Sequence, residues 1–252
     1  MKKSSYPVGQ RPNGEELFLH VYELEGDRPG PTAYFQASVH GAELQGNLVI
    51  RKIAEELQKI SFAGKVIFIP QANPEALTQK SGQYTNGRFH PITGDNWNRN
   101  YYEIFANAIE EKHEHKLEEF CQDFFSRHSS EKQESLELLG EEFKAFQKRA
   151  LEKLRESLQQ RGPKHNGLVN LKLQELAAPA DIVFDLHTGP VATRYLYAPN
   201  FAVEDAPYIG FPHVLDIPHE FGGALDEAAF MPWVSLQKML KNKWQLDFPL
   251  SF

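Results

Sequence analysis

The sequence contains a single cysteine, Cys121, among its 252 residues. A disulfide within this chain is therefore excluded, and so little cysteine is typical of proteins from a reducing compartment. Zinc sites built from several cysteines are excluded as well. Any zinc site in this chain must therefore rely mainly on histidine and carboxylate ligands.

Long apolar runs and an excess of positive charge are also lacking. No segment approaches the ~20 apolar residues of a membrane-spanning helix. The basic N-terminus, MKKSSYPVGQRPNGEE, has no apolar segment of the kind found in signal peptides. The formal net charge of −7 argues against a general nucleic-acid or anionic-membrane surface. We therefore expect a cytoplasmic protein without nucleic-acid or membrane partners, and a homo-oligomer is compatible with the sequence.

The chain does contain an alternation of strand and helix patterns, and 41% of its residues are hydrophobic, enough for a sizeable core. Tyr34–Val39 and Gly64–Pro70 are typical of buried strands, and Ala42–Ile60 has the apolar spacing of an amphipathic helix. The apolar residues expected on one stripe of this helix are Val49, Ile50, Ile53, Leu57 and Ile60. A further buried strand is predicted at Asp181–Leu186. Further predicted elements are helices at Leu168–Ala177 and Val234–Trp244 and a strand at His213–Ile217. This order predicts an α/β fold with a mostly parallel or mixed central sheet flanked by helices.

Two stretches depart from this alternation. Gln71–Trp97 is rich in loop-forming residues and has little periodicity, which predicts a long loop. Such a loop in a compact domain is usually functional or disordered. Tyr101–Gly162 is rich in Glu, Lys, Gln and Leu, which predicts two or three amphipathic helices, broken near Ser126–Ser130.

Two histidines, His40 and His187, stand at the ends of predicted strands. In open α/β sheets ligands bind beyond the carboxyl ends of the strands, and Glu43 follows His40 by three residues. Catalytic zinc commonly has three protein ligands, often His and Glu. A lone His-x-x-Glu pair is more often a surface histidine beside a solvated glutamate, but the second strand-end histidine favours a metal site. Asp185 lies on the same strand face as His187 and is placed to orient its imidazole.

The loop between these residues carries Arg88 and the pair Asn98-Arg99. An arginine can bind a carboxylate through two parallel hydrogen bonds, and a neighbouring asparagine adds a third donor. A second arginine can polarise a carbonyl and stabilise the oxyanion. Taken singly, each arginine is more often a surface charge.

These motifs together resemble the succinylglutamate desuccinylase/aspartoacylase family, a branch of the zinc carboxypeptidase fold. The matching pieces, in the family's order, are His40–Glu43, Asn73-Pro74, Arg88-Phe89, Asp95 with Asn98-Arg99, and Asp185–His187. They cover roughly residues 30 to 190.

The resemblance implies one Zn²⁺ per chain, bound by His40, Glu43 and His187. It implies a zinc-dependent hydrolase that cleaves an amide bond of an N-acyl amino acid, or of a peptide end, bearing a free carboxylate. The expected partner is such a small molecule or short peptide. Arg88 would be the catalytic residue that polarises the carbonyl.

Asn98 and Arg99 would hold the substrate carboxylate. The family usually has Asp-Leu-Asn-Arg at this place, whereas this chain has Asp-Asn-Trp-Asn-Arg, one residue longer. The sequence then predicts a single catalytic domain over residues 1–252, with a helical insertion at about 101–162.

The resemblance also implies a general base, a glutamate in a Thr-x-Glu-x-Gly setting, and no clean match to it occurs in this chain. Glu220 has part of the context and Glu227 is a more distant candidate, but both are expected in a loop over the site or as a helix cap. We therefore expect the family's C-terminal part, with the base, to be missing, and the chain itself to hydrolyse amides poorly. One alternative is a zinc-containing, catalytically incomplete binding domain. Another is a helical interaction protein built on residues 101–162, which ignores the ordered motifs.

Overall fold

The computed structural model of the chain describes residues 1–11, 13–78, 80–81, 84–85, 87–104, 112–128, 133–162, 166–189, 193–218 and 220–250. In chain order the elements are β1 (Lys2–Gln10), β2 (Glu16–Glu25), β3 (Arg28–Ala37), α1 (Gln45–Leu57), β4 (Ala63–Ile69), α2 (Pro74–Thr78), β5 (Lys80–Ser81), β6 (Tyr84–Thr85), α3 (Lys112–Arg127), α4 (Gln133–Arg161), α5 (Gly167–Ala177), β7 (Ile182–Leu186), β8 (Tyr195–Pro199), β9 (His213–Ile217) and α6 (Leu225–Trp244). Strands and helices alternate, as the predicted α/β fold requires.

The central sheet has five strands in the order β1-β2-β4-β3-β7. The pairs β1–β2 and β2–β4 are antiparallel, whereas β3 pairs with β4 and with β7 in parallel. The sheet is therefore mixed, and the predicted parallel strand–helix–strand unit is β3–α1–β4. The strands β8 and β9 form a separate parallel pair.

Side-chain alternation along the strands divides the sheet into two apolar faces. Tyr34 and Ile67 point into a core shared with α5 and the start of α6, whereas Phe35 and Phe68 point to the opposite face, beneath α1. Such alternation is the expected consequence of the two-residue period of a strand. Helices therefore cover both faces, as predicted.

The helix α1 buries a narrower stripe than its sequence suggested. Ile50 is buried, but Val49 and Ile60 are 45% and 60% exposed, so their predicted place on the buried stripe is wrong. The packing is closest at Gly46, where an added Cβ would lie 2.8 Å from the Cβ of Ala37. Because Gly46 has no side chain, α1 sits directly on the sheet, and residues four apart from it form the contact stripe.

The predicted helices of the 101–162 stretch are α3 and α4, and the expected break includes residues 129 and 130, which lie outside the described part of the chain. Their apolar faces pack with α5 and α6 into a second core. Cys121 is fully buried in it, and burial raises the pKa of its thiol to about 12. This cysteine is therefore a packing residue.

The sequence prediction missed some elements. The strand β1 was not predicted, and the stretch Gln71–Trp97 contains α2, β5 and β6 as well as loop. The last helix begins at Leu225, earlier than expected, and contains Pro232. Among the helices that the structure describes, none is both long and apolar enough to span a membrane.

Candidate metal centre

The register of β3 and β7 brings the two strand-end histidines together. In this parallel pair Gln36 lies opposite Asp185, and Ala37 lies opposite Leu186. Both strands therefore end at the same edge of the sheet, His40 three residues beyond Ala37 and His187 directly after Leu186. The centroids of the two imidazole rings are 4.9 Å apart.

A tight turn after β3 turns Glu43 back toward the strand end. Ser38 has a φ of +59°, a left-handed conformation that is uncommon outside glycine, and its hydroxyl donates to the carbonyl of Glu43 (3.0 Å). The side-chain amide of Asn73 donates to the carbonyl of Val39 (3.1 Å) and clamps the turn from the adjoining chain. Glu43 was expected in the first turn of α1, but the helix begins at Gln45 and Glu43 lies in the preceding turn.

The Glu43 carboxylate lies between the two histidines. Its Oε1 is 2.9 Å from Nδ1 of His40, and its Oε2 is 2.9 Å from Nδ1 of His187. The backbone N–H of Thr188 also donates to Oε2, at 2.9 Å. Each histidine thus presents the same ring nitrogen to one buried carboxylate.

The other ring nitrogens are held by the protein. His40 Nε2 is 2.8 Å from Oδ1 of Asn96, and His187 Nε2 is 2.9 Å from Oδ2 of Asp185. A hydrogen bond on the outer nitrogen fixes the orientation of a metal-binding imidazole. The predicted orienting contact between Asp185 and His187 is therefore present, and Asn96 supplies a second one that the sequence did not indicate.

A buried chain of hydrogen bonds fixes Asp185 in turn. The Tyr34 hydroxyl donates to Oε1 of Gln36 (2.8 Å), and Gln36 Nε2 donates to Oδ1 of Asp185 (2.9 Å). Asn98 Nδ2 donates to Oδ2 of Asp185 (3.2 Å), and its Oδ1 accepts from the N–H of Leu225 (3.4 Å). Both ends of the Asn98 amide are therefore used within the protein.

The charges of the site follow from these contacts. Burial raises the pKa of Glu43, but hydrogen bonds from His187, His40 and the Thr188 N–H outweigh it and hold the pKa well below its usual value. Burial lowers the pKa of His187, whereas the charge of Asp185 and hydrogen bonds to Asp185 and Glu43 raise it to about 10. Glu43 is thus ionised, and its negative charge faces both imidazoles.

The donor set fits a metal ion. One ligand atom from each of His40, Glu43 and His187 lies within 4.8 Å of the others. Two imidazoles and one carboxylate are a common protein set for catalytic zinc. The three residues that the sequence singled out as ligands are therefore brought together.

Of the two arginines, Arg88 contacts this cluster. Arg88 Nη2 donates to Oε1 of Glu43 (3.1 Å), so its guanidinium borders the three candidate ligands. Arg99 is exposed and donates from Nη1 to the carbonyl of Asn98 (2.6 Å). Arg88 therefore contacts a candidate ligand directly, whereas Arg99 contacts the backbone of Asn98, the residue before it in the chain.

Within the described residues, the two candidate general bases make no hydrogen bond or ion pair with the three candidate ligands. Glu227 Oε2 accepts from the N–H groups of Gly222 (2.6 Å) and Ala224 (3.1 Å), so it caps α6, as expected. Glu220 is exposed, and its backbone N–H donates to the carbonyl of Pro218 (2.9 Å).

Sequence reasoning missed Asn96. Asp95 was matched to the family motif, but it is exposed, whereas Asn96 contacts His40. Asn96 lies two positions before Asn98, just as Asp185 lies two positions before His187. That spacing was the signal that could have identified Asn96.

The chain is similar in sequence and fold to known proteins. The family model described as succinylglutamate desuccinylase/aspartoacylase catalytic domain matches residues 29–137. A protein of this family from Shewanella amazonensis, known from a crystal structure, is 36% identical in sequence to the chain and superposes with a TM-score of 0.85. The alignment covers 100% of this chain and 64% of the Shewanella amazonensis protein. A second, from Shewanella frigidimarina, is 34% identical, with 99% and 63% coverage and a TM-score of 0.82.

A more distant structure, an aspartoacylase family protein from Mesorhizobium loti, shares the fold at 18% identity, with 100% and 60% coverage and a TM-score of 0.51. No curated protein matches the chain significantly. The chain spans 64% and 63% of the length of the two Shewanella proteins. By its sequence motifs, its fold and these two relatives, the chain belongs to the succinylglutamate desuccinylase/aspartoacylase family.

Proposed function

We propose that the chain carries the metal-binding part of a zinc-dependent hydrolase that cleaves an amide bond of an N-acyl amino acid, or of a peptide end, with a free carboxylate. The observation that supports this most is the convergence of two Nδ1 atoms on the Glu43 carboxylate, with the outer nitrogens held by Asn96 and Asp185. One catalytic domain would contain the site, and α3 and α4 would be its helical insertion.

In this proposal His40, Glu43 and His187 hold one zinc ion. When bound, zinc lowers the pKa of a water molecule and polarises a carbonyl. The protein's own contribution is orientation: Asp185 and Asn96 keep the imidazoles turned so that their Nδ1 atoms face Glu43. Removing a group that hydrogen-bonds to a metal ligand typically weakens metal binding about 10–100-fold.

Arg88 is assigned to the substrate carbonyl. Its guanidinium already lies against Glu43, so it stands beside the place where charge develops as the carbonyl is attacked. A donor in this position stabilises the transition state more than the bound substrate.

Arg99 is assigned to the substrate carboxylate, since it is exposed and follows Asn98, whose side-chain amide contacts Asp185. Asn98 was expected to share this role. With both ends of its amide used, by Asp185 and by the Leu225 N–H, we assign it to positioning instead. An Arg99→Lys variant, which keeps the charge but loses the two-pronged geometry, is expected to raise KM for carboxylate substrates.

Zinc content tests the proposal. The chain is loaded with Zn²⁺, dialysed and measured for stoichiometry and Kd, together with His187→Ala and the control His213→Ala, which alters an exposed histidine on β9. We expect one zinc per chain, retained by the control and bound far more weakly by His187→Ala. Stoichiometric zinc at unchanged affinity in His187→Ala would contradict the assignment of ligands.

Turnover separates the proposed hydrolase from the alternative. N-acetyl amino acids are offered to the zinc-loaded chain and to the zinc-loaded full-length gene product, beside the corresponding N-acetyl amino-acid amides, which lack the free carboxylate. Hydrolysis restricted to the carboxylate forms supports the hydrolase. The chain by itself is expected to be slow, since general acid–base help is worth about 10²–10⁴ in rate, Glu227 caps α6 and Glu220 is exposed. Zinc binding without turnover by the full-length gene product favours the binding-domain alternative.

A further inference from the structure

The loop Arg88–Arg99 folds back on itself around His90. The N–H of His90 donates to the carbonyl of Asp95 (2.8 Å), and its carbonyl accepts from the N–H of Gly94 (2.9 Å). The N–H of Trp97 then donates to the carbonyl of the first residue of the loop (3.1 Å). His90 is only 4% exposed, although the residues that follow it up to Asp95 are exposed. A buried imidazole therefore stands at the base of an exposed turn.

Each edge of this imidazole has a partner. Nδ1 accepts from the N–H groups of Thr93 (3.0 Å) and Ile92 (3.3 Å), and the Thr93 hydroxyl lies 3.2 Å away. Since a backbone N–H can only donate, Nδ1 carries no proton and the ring proton is on Nε2. Nε2 lies 3.9 Å from Oε1 of the buried Glu75 in α2. The ring packs edge-on against Trp97, with centroids 4.9 Å apart.

The loop that folds around His90 also holds the His40 ring, through Asn96. Oδ1 of Asn96 accepts from the N–H of Asn98 (2.9 Å), which identifies it as the oxygen, and it is 2.8 Å from Nε2 of His40. This contact on Nε2 fixes the orientation of the His40 ring, so that its other nitrogen, Nδ1, faces Glu43. A displacement of Asn96 would remove this contact.

We propose that His90 is a positioning residue for the metal centre. By accepting two backbone N–H groups and packing on Trp97, it holds Asn96 against His40 and so sets the ring nitrogen that His40 presents. The inference rests on the proposed zinc site, but its effect on His40 exists without zinc and can be measured separately.

Three variants test it. His90→Phe keeps a flat ring but leaves the two backbone N–H groups without their acceptor. His90→Asn keeps an acceptor near the position of Nδ1. Ile92→Ala is the matched control, because this side chain is 87% exposed in the same turn and its N–H is retained. Circular dichroism and thermal unfolding check that each variant folds.

Two readouts are taken. The Kd for Zn²⁺ is measured by competition with a chromophoric chelator, and long-range ¹H–¹⁵N NMR of the metal-free chain reports the chemical shifts of the two His40 ring nitrogens, which change when their contacts change. We expect His90→Phe to weaken zinc binding about 10–100-fold and to shift the His40 ring signals, whereas His90→Asn and Ile92→Ala stay within about threefold of the original affinity.

Unchanged zinc affinity together with unchanged His40 signals in His90→Phe would overturn the inference, and so would a His90→Asn variant as impaired as His90→Phe. Should His90→Phe fail to fold, His90→Gln replaces it, since it keeps a polar group on the Glu75 side without an acceptor at Nδ1, and the same loss is expected. If the unaltered chain binds no zinc, the proposed function fails, and the NMR comparison still decides the role of His90.

Discussion

Replacing Asp226 by asparagine is expected to stabilise the zinc-free chain at pH 8 and to have little effect near pH 4. Asp226 is in the first turn of α6. Burial raises the pKa of its carboxyl to about 6, from the usual 3.8, and the negative charges of Asp185 and Glu227 add to the rise. Asparagine has nearly the same shape and keeps an oxygen for the backbone N–H groups of this turn.

The sign follows from the direction of the shift. A carboxyl with a raised pKa in the folded state disfavours folding once it is ionised. This penalty is absent below pH 3.8, grows between pH 3.8 and about 6, and is constant above that range. At about 1.36 kcal/mol per pKa unit, the rise corresponds to ~3 kcal/mol, which water at this half-buried position reduces to ~1–2 kcal/mol.

The assay is urea denaturation in the presence of a chelator, at pH 8 and at pH 4. Glu204→Gln is the control, because it removes one negative charge from an exposed position. We expect Asp226→Asn to raise the free energy of unfolding at pH 8 by ~1–2 kcal/mol and by much less at pH 4. A gain no larger than that of the control, or an equal gain at both pH values, would refute the argument.

Three further results are expected. Gly46→Ala should lower the free energy of unfolding, measured in urea, by about 1 kcal/mol. The new Cβ would lie only 2.8 Å from that of Ala37 and 3.0 Å from that of Leu186, and such overpacking costs ~1–3 kcal/mol, more than the ~0.5–1 kcal/mol by which a helix prefers alanine to glycine. A rise in stability would show that α1 has room to move. Gln147→Met should raise the free energy of unfolding by roughly 1 kcal/mol, since both polar atoms of this buried amide have no partner among the described residues. A loss of stability would reveal a partner. Arg88→Ala should lower kcat by about 10²–10³ with little change in KM, in assays on an active form, and a change in KM alone would place Arg88 in substrate binding.

Local patterns were sufficient for much of the fold. The strand β9 was predicted with its observed limits, and β7, β4 and α5 were predicted to within one or two residues. Each has a strong apolar period or a sharp turn at its ends. The strand β1 was missed because its alternation is polar, KKSSYPVGQ, and its place in the sheet comes from pairing with β2.

The buried stripe of α1 shows the limit of periodicity. Sequence periodicity identified the helix, but several neighbouring stripes were apolar enough to be buried. Gly46 decided the outcome, since the face without a side chain can approach the sheet most closely. Helix burial therefore depends on the shape of the partner surface as well as on hydrophobicity.

The sequence by itself determined the candidate ligands of this protein, because their identity follows from short-range features. His40 and Glu43 are three residues apart at a strand end, and His187 closes another strand. Only the tertiary structure decided how these groups meet. The register of Ala37 against Leu186 places them at one edge, and the folded loop brings Asn96 into contact with His40. Such contacts join residues far apart in the chain, and a one-residue difference in a loop or strand turns a side chain to the other side, so local patterns do not specify them.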